Sequence, residues 1–208
     1  MNNFSEDNII KNCPHCDPNS FALKYPLELT NNFWIVCDVH PLIEGHVLII
    51  PKKHLSCIGE YPIDVYDEFL AIFDKFYKFV NKIYGAVSSF EHGKLGQTVF
   101  HSHIHILPFN GSPTKIVPEG ENNLTPFTNF SYLKSIYEKE DKYLYFSILA
   151  KKWIVDTKLG APRFFRDRFA NALGVPDRGN WKEMDSNEQI MKKAMFEITE
   201  LQRKWKAY

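Results

Sequence analysis

Three histidines at alternate positions constrain this chain more than any other feature of its sequence. His101, His103 and His105 lie in the stretch FHSHIHILPF, where apolar or small residues separate them. The alternation predicts a β-strand over residues 99–107, since residues two apart on a strand point to the same face. At about 3.3 Å per residue, the three imidazoles would spread over roughly 13 Å of that face.

A single metal ion does not explain all three imidazoles. Zinc binds an imidazole nitrogen at about 2.0–2.1 Å, so two neighbouring rings can converge on one ion, but three cannot unless the strand bends sharply. Three hydrogen-bonded core histidines are the simpler alternative. We consider it weaker, because each desolvated imidazole needs partners of its own. At least one ring should therefore have a role other than metal binding.

The loop GKLGQT, residues 93–98, runs directly into the histidines. Its glycines permit close backbone approach, and Gln97 and Thr98 add donors able to bind phosphate oxygens. An imidazole with a pKa of about 6.5 is mostly unprotonated at neutral pH and is a competent nucleophile. The loop and the histidines together indicate a site for a phosphate ester or anhydride.

A short C-x-x-C motif, Cys13-Pro-His-Cys16, is half of a zinc site. A tetrahedral structural site needs two more ligands, and His54 and His101 are candidates. In a reducing cell such a pair more often binds metal than forms a disulfide, and a free pair is the alternative. The other two cysteines are expected to be ordinary thiols.

The charge balance excludes some partners. The 208 residues carry 25 basic and 25 acidic side chains, for a formal net charge of +0, which lacks the electrostatic footprint of a duplex-binding protein.

No apolar run approaches the roughly 20 residues of a membrane span. The polar N-terminus has no apolar signal core, and residues 1–11 should form a loose arm. We expect a soluble, cytoplasmic protein without a membrane partner.

The hydrophobic pattern predicts an α+β fold. An antiparallel sheet of about five strands should carry a long amphipathic helix over residues 63–84. We expect a catalytic domain over 1–110 and an α/β extension of unknown role over 111–208. The extension should hold a hairpin over 143–157, a helix over 161–175, and a final helix capped by Ser186. Its basic residues should form a solvated helix face, with contact to a substrate tail as the alternative: Arg163, Arg166, Arg168 and Arg178.

The stretch HSHIHILP resembles the H-x-H-x-H motif of the histidine triad (HIT) superfamily. FWIVCDVHPLIEGHVLIIPKKH looks like its nucleotide-pocket segment, and GQTVFHSHIH looks like its Gly-Gln-Ser/Thr loop running into the triad. The similarity covers roughly residues 13–108, about half of the chain. It implies a HIT-like sheet with a long helix, in agreement with the pattern above.

The resemblance implies a role for each residue of the triad region. His103 would attack the α-phosphorus and form a nucleotidyl-histidine intermediate. His105, with Gln97 and Thr98, would contact the phosphate oxygens and the leaving group. Glu91 and His92 stand where many small members have Asn, which puts one polar substrate contact in doubt. We interpret His92 as an ordinary loop histidine.

The upstream segment would build the nucleotide pocket. Asp38 would accept hydrogen bonds from the ribose hydroxyls, a task that suits a carboxylate. His46 would lie behind the triad. Trp34, Val36 and Val39 would line the base pocket.

Zinc-bearing members of the superfamily have ligands in this pattern, so the resemblance implies a structural zinc held by Cys13, Cys16, His54 and His101. His103 and His105 would then remain free for phosphorus chemistry. Such members are usually two-fold dimers, which makes a homodimer an expectation here, although the extension could replace the partner surface.

The leading hypothesis is a nucleotide hydrolase or nucleotidyl transferase that cleaves a nucleotide or nucleotide conjugate at its α-phosphate. The alternative is a zinc-stabilised module that binds nucleotides or RNA ends without turnover. A third reading is a metallohydrolase with a catalytic metal on the histidines. The leaving group is open and includes an amine, a second nucleotide, a sulfate, a sugar phosphate or a nucleic-acid end.

Overall fold

A single antiparallel sheet of eight strands organises the described part of the chain, residues 9–208 of a computed structural model. The expected arm over 1–11 therefore lies mostly outside the described residues. Neighbouring strands follow the order β1-β2-β3-β5-β4-β7-β8-β6. The strands are β1 (Pro26–Leu29), β2 (Phe33–Cys37), β3 (Val47–Pro51), β4 (Ser88–Glu91), β5 (Ile104–Leu107), β6 (Leu124–Phe127), β7 (Tyr145–Ile148) and β8 (Lys151–Val155). The α+β class is confirmed.

Helices cover both faces of this sheet. They are α1 (Ile63–Tyr84), α2 (Pro113–Ile116), α3 (Ser131–Glu140), α4 (Phe164–Ala172), α5 (Trp181–Asp185) and α6 (Glu188–Ala207). α1 and α6 pack on one face, together with Ile104 and Ile106 of β5. α4 packs on the opposite face, where Phe169 stacks on Phe90 of β4. Since neighbouring residues of a strand alternate between faces, His105 lies on the α4 side.

Helix α1 has the bounds that its sequence predicts. Apolar side chains recur at three- and four-residue steps, and among them Val65, Phe69, Ile72 and Phe76 are buried against the sheet. The helix ends at Gly85, whose φ of +69° is left-handed and suits glycine. This helix packs against the sheet whose strands carry the site.

The extension continues the sheet of the first half. Strands β1 to β5 come from residues before 110, and β7 pairs with the free side of β4, with Ser89 opposite Ser147. The hairpin of β7 and β8 is confirmed. The domain boundary at residue 110 stays a prediction, and strands from both sides of it share one sheet.

The predicted histidine strand is too long. β5 begins only at Ile104, so His101 and His103 precede it. The amide of Ser102 donates to the carbonyl of Leu55 at 2.6 Å, and that of His101 donates to Val99 at 2.8 Å. These bonds fix the segment to a loop rather than to a neighbouring strand, so the premise of three imidazoles on one pleated face was wrong.

The final helix begins one residue later than predicted. Asn187, not Ser186, is the cap, and its side chain accepts a hydrogen bond from the amide of Ile190 at 3.2 Å. Strand β1, strand β6 and helix α3 were not predicted. Within residues 9–208, no helix combines the length and apolar character that crossing a bilayer requires.

Candidate functional site

The four predicted zinc ligands lie together in the structure. One potential ligand atom from each of Cys13, Cys16, His54 and His101 lies within 4.8 Å of the others. Both sulfurs are 3.4 Å from Nδ1 of His101, and Cys16 Sγ is 3.4 Å from Nδ1 of His54. Tetrahedral zinc with bonds of about 2.3 Å to sulfur and 2.0–2.1 Å to nitrogen places S and N about 3.6 Å apart. The cluster therefore fits zinc.

The second nitrogen of His101 explains why Nδ1 faces the sulfurs. Its Nε2 lies 2.7 Å from the carbonyl of Pro51, which can only accept, so Nε2 carries the proton and donates. Nδ1 is then unprotonated and points into the cluster. A metal-binding histidine commonly donates its other N–H in this way. His15, between the two cysteines, is not one of the four ligands.

A cavity of about 230 Å³ opens beside this cluster. Its lining comes from the Cys13–Cys16 segment (the zinc knuckle) and the residues after it, the strands and their loops, the glycine loop and the extension. The residues are Pro14, His15, Phe21, Ala22, Asp38, Val39, His40, Leu48, Thr98, Val99, His103, His105, Arg166 and Trp181. Apolar walls with a few convergent polar groups are typical of ligand sites.

His103 presents one nitrogen to react. Its Nδ1 lies 2.6 Å from the carbonyl of His101, an acceptor only, so Nδ1 carries the proton and Nε2 keeps its lone pair. Burial lowers the pKa of His103 below 6.5, and although the hydrogen bond to His101 opposes this, the shift stays downward. The ring is therefore neutral at pH 7. A neutral, oriented imidazole at a cavity wall is suited to nucleophilic attack.

His105 presents a proton. The amide of Leu42 donates to Nδ1 of His46 at 3.1 Å, so His46 carries its proton on Nε2 and donates to Nδ1 of His105 at 2.9 Å. The remaining proton of His105 is on Nε2, a buried atom without a partner among residues 9–208. Burial lowers the pKa of His46 to about 4 and that of His105 well below 6.5. His105 thus offers a desolvated N–H donor.

Asp38 lies in a buried ion pair. Nη1 of Arg166 donates to its Oδ2 at 2.8 Å, and the amide of His40 donates to its Oδ1 at 2.9 Å. Burial alone would raise the pKa of this carboxyl, but the charge of Arg166, helped by the hydrogen bond from the amide of His40, outweighs it and the pKa is lowered. Asp38 therefore shares its acceptor oxygens with the protein, and its role toward ribose stays a prediction.

The two predicted phosphate donors of the glycine loop differ in their access to the cavity. Thr98 is exposed and lines the cavity. Gln97 is buried, and its amide nitrogen donates to the carbonyl of Ser56 at 2.8 Å. Of the two predicted phosphate donors, Thr98 is thus placed at the cavity. The phosphate contact of Gln97 stays a prediction.

The expected lining of the base pocket is corrected in two places. Val39 lines the cavity, but Trp34 lies at a different surface hollow. Val36 packs in a separate apolar cluster with Leu48 and Ile50. Both lie on the same face of the sheet as Leu48, which pairs with Val36, but neither is among the residues that line the cavity.

Two arginines of the extension correct the prediction of a solvated face. Arg166 and Arg178 are only 7% and 4% exposed, and Nη1 of Arg178 donates to Glu197 at 2.6 Å. Nothing in the local pattern around Arg166 marks it as buried, because its partner Asp38 is 128 residues away. Trp181 and His40 are among the cavity residues that sequence reasoning missed, and it included Arg166 only as one of four arginines that could contact a substrate tail.

His92 lies in the loop after β4, as expected, but its side chain is buried. Its Nε2 accepts a hydrogen bond from the amide of Phe165 at 3.2 Å. Burial lowers its pKa to about 3, so the ring is neutral. His92 therefore fixes the start of helix α4 close to the site.

A second group of potential ligands does not suit a cation. Asp38, His46 and His105 have ligand atoms within 4.8 Å of one another. Nδ1 of His46 already accepts from Leu42, and the Arg166 guanidinium contacts Asp38 at 2.8 Å. A cation would be repelled by this fixed positive charge and would break both hydrogen bonds. The metallohydrolase reading is therefore weakened.

Comparisons with known proteins identify the family of this chain. A family model described as the HIT domain matches residues 28–111. An uncharacterized HIT-like protein of Methanocaldococcus jannaschii is 33% identical over 89 residues, covering 40% of this chain and 67% of that protein. Adenylylsulfatase HINT3 of Arabidopsis thaliana is 38% identical over 80 residues, covering 35% of this chain and 39% of that protein.

Among solved structures, a hypothetical protein from Leishmania major is 26% identical with a TM-score of 0.40, covering 49% of this chain and 76% of that one. The matches to curated relatives span only 39% to 67% of those proteins' own lengths. The triad, the cavity and the family match together define the class: this chain belongs to the HIT family.

Proposed function

We propose that this protein is a nucleotide hydrolase or nucleotidyl transferase that cleaves at an α-phosphate through a nucleotidyl-histidine on His103. The observation that carries the proposal is the hydrogen bond from His103 Nδ1 to the carbonyl of His101, which leaves Nε2 unprotonated at the cavity wall. The Arabidopsis relative is named an adenylylsulfatase, which is consistent with chemistry at an adenylyl phosphorus.

The reaction would proceed in two displacements. In the first, the lone pair of His103 Nε2 forms a bond to the α-phosphorus, and the bond to the leaving group breaks, its electron pair departing with that group. In the second, the oxygen of water or of an acceptor hydroxyl bonds to phosphorus and releases its proton to solvent, and the N–P electron pair returns to Nε2. Two steps replace one difficult displacement. The carbonyl of His101 keeps the Nδ1 proton and stabilises the positive charge of the substituted ring.

Donors around the cavity would stabilise charge on the phosphoryl oxygens. The Nε2–H of His105, which has no hydrogen-bond partner within residues 9–208, can donate without first breaking another hydrogen bond. Thr98 adds a hydroxyl at the same cavity. Such donors, already oriented and desolvated, are the larger part of catalysis in many enzymes. Asp38 would accept from a ribose hydroxyl while it keeps its pair with Arg166.

A structural zinc belongs to this proposal. Cys13, Cys16, His54 and His101 would hold it, and the ion would stabilise the fold and take no part at phosphorus. It would also act on catalysis indirectly, since the residue whose ring binds zinc is the residue whose carbonyl orients His103. The fit of the cluster to tetrahedral zinc supports it.

The test is incubation with a panel of α-³²P-labelled adenylyl compounds whose leaving groups are an amine, a sulfate, a second nucleotide, a sugar phosphate and a nucleic-acid end. We expect turnover of at least one compound and an acid-labile label on the native protein. His103→Ala should lose both, by at least about 10³-fold in rate, because the nucleophile is gone. Free imidazole added to this variant should restore part of the turnover.

Two results would contradict the proposal. Equal turnover by the native protein and His103→Ala would remove His103 from the chemistry. Nucleotide binding without turnover of any compound would favour the zinc-stabilised binding module instead.

A further inference from the structure

On the basis of the proposed function, we propose that the C-terminal extension forms one wall of the nucleotide cavity, in which Trp181 stacks against the base of the substrate. Two cavity residues, Arg166 and Trp181, come from the extension, and they lie with residues of the triad and the zinc knuckle around one space. The site would then be incomplete without the second half of the chain.

Helix α5, which begins with Trp181, is fixed to the loop that follows β2. Nε2 of His40 donates to the carboxylate of Asp185 at 2.7 Å, and Asp185 is the last residue of α5. The Trp181 indole lies 5.8 Å from the His40 ring. The amide of His40 in turn donates to Asp38. Trp181 is therefore placed relative to Asp38 by a short chain of direct contacts.

Buried arginines fix the segment that leads into α5. Nη2 of Arg166 donates to the carbonyls of His40 at 2.8 Å and Arg178 at 3.2 Å, and its Nε donates to Gly179 at 3.3 Å. Arg178 itself donates to the carbonyl of Pro41 at 3.1 Å. These bonds join the loop after β2 to residues 178–179, just before Trp181. The backbone that leads into Trp181 is thus held by contacts within the protein itself.

The composition of the wall indicates what it would contact. Phe21, His40 and Trp181 form a row of rings, with the Phe21 and His40 centroids 6.2 Å apart. Val39 and Leu48 add apolar surface, while the polar donors Thr98, His103 and His105 belong to the triad side. A nucleotide has the same division into a flat base and a charged phosphate. Aromatic side chains bind bases by stacking because every base offers a π face.

The experiment measures equilibrium binding to the full-length, zinc-loaded protein by titration calorimetry. The probes are the four nucleoside 5′-monophosphates and ribose 5-phosphate, which keeps the sugar and phosphate but lacks the base. We expect Trp181→Ala to weaken nucleotide binding about 10- to 100-fold and to change ribose 5-phosphate binding less than about 2-fold. Trp181→Phe, which keeps an aromatic face, should stay within about 3-fold of the native protein.

Trp34→Ala is the matched control. Trp34 is a partly buried tryptophan on β2 with the Lys52 ammonium 5.1 Å above its ring, and it lines a different hollow. This variant should bind nucleotides like the native protein. Thermal melts of each variant show whether the fold is kept.

The outcomes separate the inference from the proposed function. Unchanged nucleotide affinity in Trp181→Ala, an equal loss for nucleotides and ribose 5-phosphate, or an equal loss in Trp34→Ala would each overturn the role of Trp181. If the native protein binds none of the nucleotides, the proposed function fails first. If Trp181→Ala is the only variant that weakens nucleotide binding, and ribose 5-phosphate binding is kept, the result supports both the role of Trp181 and the proposed function.

Discussion

At the scale of single residues, the buried ion pair between Asp38 and Arg166 is the contact most sensitive to mutation. Arg166→Ala would leave a buried carboxylate without its charged partner, and we expect a loss of about 3–5 kcal/mol in the free energy of unfolding. Arg163→Ala, which breaks a half-exposed pair with Asp167, should cost less than about 1 kcal/mol. Urea denaturation of both variants measures the difference, and similar losses would contradict the assignment.

A second residue, Glu91, should make stability depend on pH. Burial raises the pKa of Glu91 from 4.5 to about 7, although hydrogen bonds from Tyr143, Ser102 and Ile58 oppose the shift. The folded state thus holds this proton more tightly than the unfolded state. The contribution of Glu91 to stability is complete below about pH 4.5 and is lost as the pH rises through about 7.

Glu91→Gln should remove this dependence. Between pH 5 and pH 8, the free energy of unfolding of the native protein should fall by about 1–3 kcal/mol more than that of the variant. Glu121→Gln, a change at an exposed position, is the control and should follow the native curve. A native curve that rises over this interval relative to Glu91→Gln would show that the sign is wrong.

At the scale of elements, disruption of the zinc knuckle should alter the position of the triad. Purified protein should contain about one zinc per chain, measured by elemental analysis, and Cys16→Ala should lose it. Cys37→Ala removes an equally buried thiol outside the cluster and should retain zinc. Because His101 joins the cluster to His103, Cys16→Ala should also lower turnover. A native protein without bound metal would contradict the knuckle assignment.

Elements with a strong local pattern could be predicted, and those that depend on distant contacts could not. Helix α1 was identified because its apolar periodicity is set by burial on one face. Strand β6 contains Pro126 and pairs only with β8, so little in its own sequence marks it. The start of the histidine strand was misjudged because Ser102 bonds to Leu55, which local alternation cannot show.

The candidate site divides in the same way. The triad and the candidate zinc ligands follow from residue types and their order along the chain, and Asp38 follows from the resemblance to the HIT superfamily. Arg166 and Trp181 come from a segment whose pattern indicates only a helix and a turn, and their placement depends on the docking of α4 and α5 to the loop after β2. Such contacts over more than 120 residues leave no periodic trace in the sequence.

At the scale of the whole molecule, the sheet leaves little edge for a partner, which bears on the expected homodimer. The outer side of β4 is paired with β7 of the same chain. At one end of the sheet, Gln202 and Trp205 of α6 donate to carbonyls of β1 at 3.2 and 2.8 Å. At the other end, β6 carries Pro126, which lacks an amide donor.

We therefore expect a monomer, with the extension in the place of a second subunit. Sedimentation equilibrium from about 1 to 100 μM should give the mass of one chain, 24.3 kDa, at every concentration. A natural strand partner would need unpaired backbone groups along an edge, and here side chains or proline occupy that position at both ends. A stable two-fold dimer at micromolar concentration would show that another surface mediates assembly and that the extension does not replace the partner.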